Sequence, residues 1–137
     1  MKIFFDSSAL AKRYIEEMGS EKVQELCSEA TLIGVSSICL PEIVSALCRL
    51  QYHSSITDEQ YGEAKEALLK DFEDILVCNI TPAVISQAVS ILETNRVRTL
   101  DALHIACALE WKAEAFVTSD VRQSSAARRA GLSIMMV

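Results

Sequence analysis

The chain of 137 residues is 50% hydrophobic and 23% charged, which supplies enough apolar material for one domain with a buried core and argues against disorder. Its 13 basic and 19 acidic residues give a net charge of −6, so a phosphate-bearing partner would need a local basic cluster or bound cations. Arg96 with Arg98, and Arg122 with Arg128 and Arg129, are candidate clusters, although solvated helix ends and loops are the simpler explanation.

The N-terminus and the cysteines indicate where such a protein works. Only three apolar residues, from Ile3 to Phe5, precede the first acid, too few for a signal peptide or a membrane span. The cysteines form no pair with metal-finger spacing and stand mostly among apolar neighbours; they are Cys27, Cys39, Cys48, Cys78 and Cys107. We therefore expect a cytoplasmic protein with reduced thiols and no membrane segment.

Short apolar runs alternate with helical periodicity in the first half of the chain. Lys2–Phe5 is predicted to be a strand, followed by a helix over 8–17 and a helix over 20–30 capped by Ser20. A strand is expected over 31–35. Pro41 then suits a first helical position, because its fixed φ matches the helix and its missing donor is not needed there.

The second half repeats this alternation. Thr57 and Gln60 form a capping box for a long helix, residues 75–80 are predicted to be a buried strand, and Thr81 with Pro82 begins another helix. The segment 99–113 is a nearly all-apolar helix, which belongs inside the fold. A strand over 115–118, a short helix ending near Ala130 and a final apolar run complete the chain.

Nearly continuous apolar strands separated by helices predict a parallel sheet covered on both faces. No repeat or long linker divides the chain, so we predict a single α/β domain over 1–137 with about four or five strands. In open sheets of this class ligands bind at the carboxyl ends of the strands. That rule makes the acids at strand ends and helix starts the first candidates for a site.

Four acids fall at such positions. Asp6 and Asp120 follow the first and fourth predicted strands, whereas Glu42 and Asp101 lie in the first turns of helices. Each acid taken alone is explained as well by a structural role as by a role in a site, because an acid in a first turn caps the helix or complements its dipole by roughly 0.3–1 kcal/mol. Together they would repel by roughly 4 kcal/mol per pair at about 4 Å. Convergence therefore calls for a cation, and all-oxygen ligation favours Mg²⁺ or Mn²⁺ over zinc.

Four segments carry a family resemblance in this order: FFDSSALAKRY, PEIVSAL, RTLDALHIACAL and VTSD. They resemble PIN-domain ribonucleases, most closely VapC-like toxins of toxin–antitoxin pairs, over nearly the whole chain. The resemblance implies a PIN-like domain whose acidic quartet, Asp6, Glu42, Asp101 and Asp120, holds one or two divalent ions and cleaves RNA. After the fourth acid many relatives continue with another acid or an aromatic residue, whereas this chain continues ValArgGlnSerSer.

The resemblance also implies roles and partners. Asp6 and Asp101 are expected to be the main ligands and Asp120 a further or water-mediated ligand, while Glu42 also orients the attacking water. The hydroxyls of Ser8 and Thr118 are candidates for orienting ligands or substrate, with capping and turn formation an equal alternative. A homodimer and an antitoxin laid over the crevice are expected partners.

Other readings compete with this hypothesis. His104 lies three residues after Asp101, but its apolar neighbours favour a hydrogen-bonded interior histidine over a general base. Trp111 and the tyrosines favour packing over base stacking. Phosphoryl transfer to Asp6 is disfavoured because dehalogenase-type phosphatases need an acid where Ser8 stands, and receivers need an early acidic pair and a late lysine. A non-catalytic PIN-fold binding or assembly module stays open as the alternative.

Overall fold

The computed structural model, which describes residues 1–137, contains one sheet of five parallel strands. The strands are Lys2–Phe5 (β1), Leu32–Ser36 (β2), Leu76–Cys78 (β3), Ala115–Thr118 (β4) and Ile134–Met136 (β5). Their order is β3-β2-β1-β4-β5, so β1 is central, and Phe4 pairs with Gly34 on one side and with Phe116 on the other. The predicted parallel α/β sheet is confirmed, at the upper end of the expected strand number.

Seven α-helices connect the strands and cover both faces of the sheet. They are Ser7–Leu10 (α1), Ser20–Glu29 (α2), Cys39–Tyr52 (α3), Asp58–Asp71 (α4), Pro82–Thr94 (α5), Thr99–Trp111 (α6) and Val121–Arg129 (α7). None of them has the length and apolar character that crossing a bilayer requires.

Two cores flank the sheet because successive strand side chains point to opposite faces. Ile3 and Phe5 pack against α1 to α4, and Phe4 packs against α5 to α7. The helices contribute Val23, Leu26, Ile43, Leu47 and Leu68 to the first core and Val84, Ile91, Ile105 and Ala126 to the second. Burying each large side chain contributes about 1.5–3 kcal/mol, so the cores fix where the strand ends lie.

The indole ring of Trp111 packs directly on β2 at Gly34, which explains why a glycine occupies this position. A Cβ atom at Gly34 would lie 2.9 Å from the indole ring, so no other residue fits without displacing Trp111. The ring of Phe4 lies 6.0 Å from that of Trp111 and 6.0 Å from that of Phe116. Trp111 is thus a packing residue, as the sequence indicated.

The predicted starts of two helices are confirmed in atomic detail. The Thr57 hydroxyl accepts a hydrogen bond from the Gln60 amide at 3.0 Å, and Gln60 Oε1 accepts one from the Thr57 amide at 2.8 Å, which completes the capping box of α4. Thr81 caps α5 by accepting from the amide of Val84 at 3.3 Å, with Pro82 as the first helical residue.

The predicted helix over 8–17 is wrong in length. Helix α1 ends at Leu10, and the chain turns through a short 3-10 segment, Ala11–Arg13. Arg13 Nε donates to Asp71 Oδ2 at 2.6 Å and the Tyr14 hydroxyl donates to the same oxygen at 2.7 Å. These tertiary contacts with α4 hold the segment in place of a continued helix, which local periodicity does not reveal.

Three other local predictions differ from the structure. Ser20 accepts a hydrogen bond from the Glu17 amide at 3.0 Å instead of capping α2, which follows Gly19 at φ 95°. Helix α3 begins at Cys39, two residues before Pro41, and accommodates the proline because first-turn amides lack intrahelical partners. The run predicted as a buried strand is the edge strand β3, where Leu76 and Val77 are each 44% exposed.

Candidate active site

The four predicted acids all lie at the carboxyl edge of the sheet. Asp6 follows β1 directly, and Asp120 lies two residues after the end of β4. Glu42 lies in the first turn of α3, which follows β2, and Asp101 lies in the first turn of α6. Because β1 is flanked by β2 and β4, Asp6 is at the centre of this edge.

Asp6 is held rigidly and is 1% exposed. Its Oδ1 accepts hydrogen bonds from the Ser8 hydroxyl at 2.9 Å and from the Ala9 amide at 2.8 Å, so Asp6 is also the N-cap of α1. Its Oδ2 accepts from the Thr118 hydroxyl. Burial raises the pKa of Asp6, and these hydrogen bonds offset the rise only in part. The carboxylate is therefore both a cap and a desolvated charge.

Glu42 shares one oxygen between two donors. Its Oε1 accepts from the Ser7 hydroxyl at 2.7 Å and lies 2.5 Å from His104 Nε2. Because a carboxylate is an acceptor only, His104 Nε2 carries the proton in this contact. Burial raises the pKa of Glu42, but the hydrogen bonds from His104 and Ser7 outweigh it and hold the pKa below its usual range.

His104 lies among the acids, a placement that the sequence interpretation captured only in part. It is buried as expected, but its Nδ1 has no hydrogen-bond partner, so the ring is not fully satisfied. The nearby imidazole lowers the pKa of Asp6, of Glu42 and of Asp101. The sequence shows that Asp101 and His104 are three residues apart, which indicates that they are neighbours on one helix. It gives no sign of the contact between His104 and Glu42, which are 62 residues apart.

Asp101 and Asp120 form the less constrained pair. Burial raises the pKa of Asp101, the charge of Asp120 raises it further, and His104 and Arg98 oppose the rise. Asp120 is the N-cap of α7, and its Oδ1 accepts from the amides of Arg122 at 2.8 Å and Gln123 at 3.0 Å. The two residues line the same cavity, so their carboxylates lie within electrostatic reach of each other.

The two predicted hydroxyl residues both contact Asp6. Ser8 also accepts a hydrogen bond from the Ser119 hydroxyl at 3.0 Å, which joins α1 to the loop after β4. Thr118 is fully buried, donates to Asp6 and accepts from the Asp120 amide at 3.0 Å. Their contacts favour orientation of the Asp6 carboxylate, and their roles toward substrate stay predictions.

Sequence reasoning missed Ser7 and Gln123. Ser7 bridges Glu42 and His104, since its hydroxyl lies 3.1 Å from His104 Nε2. Gln123 is buried; its Nε2 donates to the Asp101 carbonyl at 3.2 Å, and its Oε1 lies 3.4 Å from the Thr118 hydroxyl. Gln123 falls in the segment where this chain departs from the family pattern, which was the one local signal for it.

The carboxylate oxygens suit a hard divalent cation. In Glu42 and Asp120 both donors converge on one oxygen, which leaves Oε2 and Oδ2 without a protein donor. Such oxygens are the ligands that Mg²⁺ and Mn²⁺ prefer. The structure gathers no three His, Cys, Asp or Glu side chains into a metal-binding group. The donor chemistry therefore fits the ion, while the four acids do not form a closed ligand sphere.

Comparisons with known proteins agree with this architecture. Residues 3–129 match the model of the PIN domain. No curated protein sequence is significantly similar to the chain.

Several solved structures share the fold. VapC20 of Mycobacterium tuberculosis, a toxin that cleaves the sarcin–ricin loop, has a TM-score of 0.70 at 18% identity, over 95% of each chain. VapBC2 of Rickettsia felis, bound to a DNA fragment from its promoter, has a TM-score of 0.69 at 14% identity, over 100% of this chain and 99% of that one. A toxin–antitoxin complex from Klebsiella pneumoniae has a TM-score of 0.67 at 16% identity, over 88% of each chain. At these identities the similarity establishes the fold alone.

Proposed function

The chain belongs to the PIN domain family, and on that premise we propose that it is a divalent-metal-dependent ribonuclease, the toxin of a toxin–antitoxin pair. The observation that carries the proposal is the location of Asp6, Glu42, Asp101 and Asp120 at one edge of the sheet. Three of these carboxylates, those of Glu42, Asp101 and Asp120, keep an oxygen free of protein donors. The likeness to the fold of a toxin that cleaves RNA supports the substrate class.

Each acid has an assigned part in the proposed reaction. Asp6 and Asp101 supply the main ligand oxygens for Mg²⁺ or Mn²⁺, and Asp120 supplies a further or water-mediated one. A bound divalent ion would acidify water and neutralise charge growing on the phosphate. Glu42, ionised because its pKa is lowered, orients the water that attacks phosphorus as the bond to the leaving ribose oxygen breaks.

Neighbouring side chains position these carboxylates. Ser7 and His104 fix one oxygen of Glu42, which aims the other oxygen and limits its rotation. Ser8 and Thr118 each hold one oxygen of Asp6, so both oxygens of that carboxylate are fixed by a hydroxyl. The proposed chemistry uses no protein nucleophile, so His104 acts through Glu42 and is a positioning residue.

The proposed partners follow from the same comparisons. An antitoxin is proposed because two of the similar folds come from a VapBC protein and from a toxin–antitoxin complex. A homodimer acting in the cytoplasm completes the proposal. Mass measurement at micromolar concentration tests the dimer, and a monomeric mass would contradict it.

Incubation of the purified protein with a mixed RNA pool tests the activity. We expect cleavage with Mg²⁺ or Mn²⁺, no cleavage in EDTA, and loss of cleavage in Asp101→Asn. Arg49→Gln, on the outer side of α3, is the matched control and should cleave as the wild type does. Equal cleavage by Asp101→Asn would refute the catalytic assignment.

One specific observation favours the alternative of a non-catalytic PIN-fold module. Asp6 and Asp120 do cap α1 and α7, so both have a structural reason to be present. Calorimetric titration with Mn²⁺ separates the two functions. A ribonuclease site should bind Mn²⁺ in the millimolar range or tighter and lose that binding in Asp6→Asn, whereas a module should show no such binding.

A further inference from the structure

A groove lined with arginines leads away from the open side of the acidic site. A cavity of about 540 Å³ beside Asp101 and Asp120 adjoins a second cavity of about 660 Å³. The two cavities share Arg96, Val97, Val121 and Arg122. Arg98 lies at the acidic end and Arg129 at the far end. We call this continuous surface, defined by Arg96, Arg98, Arg122 and Arg129, the arginine groove.

The groove concentrates positive charge in an acidic protein. It holds four of the 13 basic residues of a chain whose net charge is −6. None of the four forms an ion pair: the basic partners in the ion pairs of the structure are Lys12, Arg13, Lys22 and His104. Arg98 lowers the pKa of Asp101 without pairing with it. The guanidinium groups are therefore available to an external anion.

The acidic side chains that face the groove stand at two places. Asp101 and Asp120 stand at the end next to the site, and Glu93 lines the far cavity. Arg129 Nη1 donates to the Asn95 side chain at 3.0 Å, which leaves its other nitrogens unbound by protein. An unpaired guanidinium presents a planar set of donors that matches a phosphate oxygen pair.

We infer that the arginine groove binds the backbone phosphates of single-stranded RNA next to the bond to be cut. This inference rests on the proposed function, because the groove is assigned to RNA on the ground that it ends at two of the proposed catalytic carboxylates. The carboxylates at its end repel a bare phosphate, so a substrate needs compensating cations close by. The groove supplies them along one continuous path that ends at Asp101 and Asp120.

The dimensions of the groove suit a short stretch of strand. Arg122 and Arg129 are seven residues apart on α7, so they share one helix face and are separated by about 10 Å along its axis. That distance spans about three stacked nucleotide steps of about 3.4 Å. Val121, which is 72% exposed at the junction of the two cavities, offers an apolar surface to a ribose or a base.

Binding of a labelled single-stranded RNA of mixed sequence, measured by fluorescence anisotropy in EDTA, tests the inference. We expect Arg96→Gln, Arg122→Gln and Arg129→Gln each to raise Kd roughly 3- to 10-fold. The slope of log K against log salt should fall by about 0.7 for each phosphate contact removed. Arg49→Gln is the matched control and should bind as the wild type does. All of these arginines are exposed, so we expect each substitution to leave the melting temperature unchanged. Measuring that temperature verifies that each variant is folded.

Two outcomes would overturn the inference. One is binding by the groove variants that equals that of Arg49→Gln. The other is arginine-dependent capture of a poly-glutamate peptide in place of RNA, which would assign the groove to an acidic protein segment. The assay needs no cleavage, so it is separable from the proposed function. Arginine-dependent binding by a protein that cuts no RNA would refute the ribonuclease and uphold the groove. Cleavage of RNA, together with RNA binding that the groove substitutions leave unchanged, would uphold the ribonuclease and refute the groove.

Discussion

The carboxyl edge of the sheet has two halves that hold their acids differently. In the buried half, named for the buried Asp6 and completed by Glu42, whose side chain is 29% exposed, each carboxylate accepts at least two hydrogen bonds from side chains. In the open half, formed by Asp101 and Asp120, the two charges repel each other beside a cavity of about 540 Å³. The buried half is organised by the fold itself, whereas the open half has most to gain from a cation and is the side from which substrate can enter.

Asp6→Asn removes the central charge of the buried half and should have the largest effect on cleavage, a loss of roughly a hundredfold or more. Stability should move the other way. The folded pKa of Asp6 is raised above 3.8, so the folded state favours the protonated carboxyl. The stability that this contributes is present at low pH and is lost as pH rises through the folded pKa. Asn is neutral and still caps a helix. Thermal unfolding at neutral pH should therefore give an equal or higher Tm, and a lower Tm would contradict this account.

His104→Leu tests whether the buried half depends on its histidine. Without that donor the pKa of Glu42 rises toward or above its usual value, because burial is then less well opposed. Cleavage should fall roughly 10- to 100-fold, and the acid limb of the pH profile of kcat should move to higher pH. His104→Gln keeps a donor and should recover part of the loss. Equal losses in both variants with an unmoved acid limb would assign His104 to core packing alone.

Asp120→Asn probes the open half. The asparagine preserves the cap of α7 while removing the charge that raises the pKa of Asp101, so that pKa should fall. Loss of one oxygen ligand should weaken Mn²⁺ binding about tenfold, a smaller effect than that of Asp101→Asn. Calorimetry at two pH values measures both changes. Unchanged Mn²⁺ affinity would show that Asp120 is a helix cap and not a metal ligand.

Ser7→Ala should have the smallest effect, because it removes one of the two donors to Glu42 and leaves His104 in place. We expect cleavage to fall roughly two- to fivefold, the loss that corresponds to one ordinary hydrogen bond. Ser45→Ala, on the exposed side of α3, is the control for a serine lost from the surface. A loss as large as that in His104→Leu would show that Ser7 does more than share one oxygen.

The sequence predicts the framework of this site well because the signals are local. Strand ends, the capping box at Thr57 and the cap at Thr81 depend on neighbouring residues, and the rule for parallel sheets then brings the four acids to one edge. The side-chain partners depend on tertiary contacts. His104 meets Glu42 across 62 residues, and Arg13 and Tyr14 meet Asp71 across 58 and 57 residues, which also explains the short α1. No periodicity encodes such pairs.

Gln123 bridges the two segments that carry the acids of the open half, the start of α6 and the end of β4. One end of its amide holds the backbone carbonyl of Asp101 on α6, and the other end faces Thr118, whose hydroxyl receives the Asp120 amide. Gln123 therefore links the backbone of Asp101 to the threonine that holds the Asp120 amide. Under the proposed function, shortening this residue to asparagine would break one of these contacts and change the spacing of the two carboxylates, and with it the size of the ion that they hold.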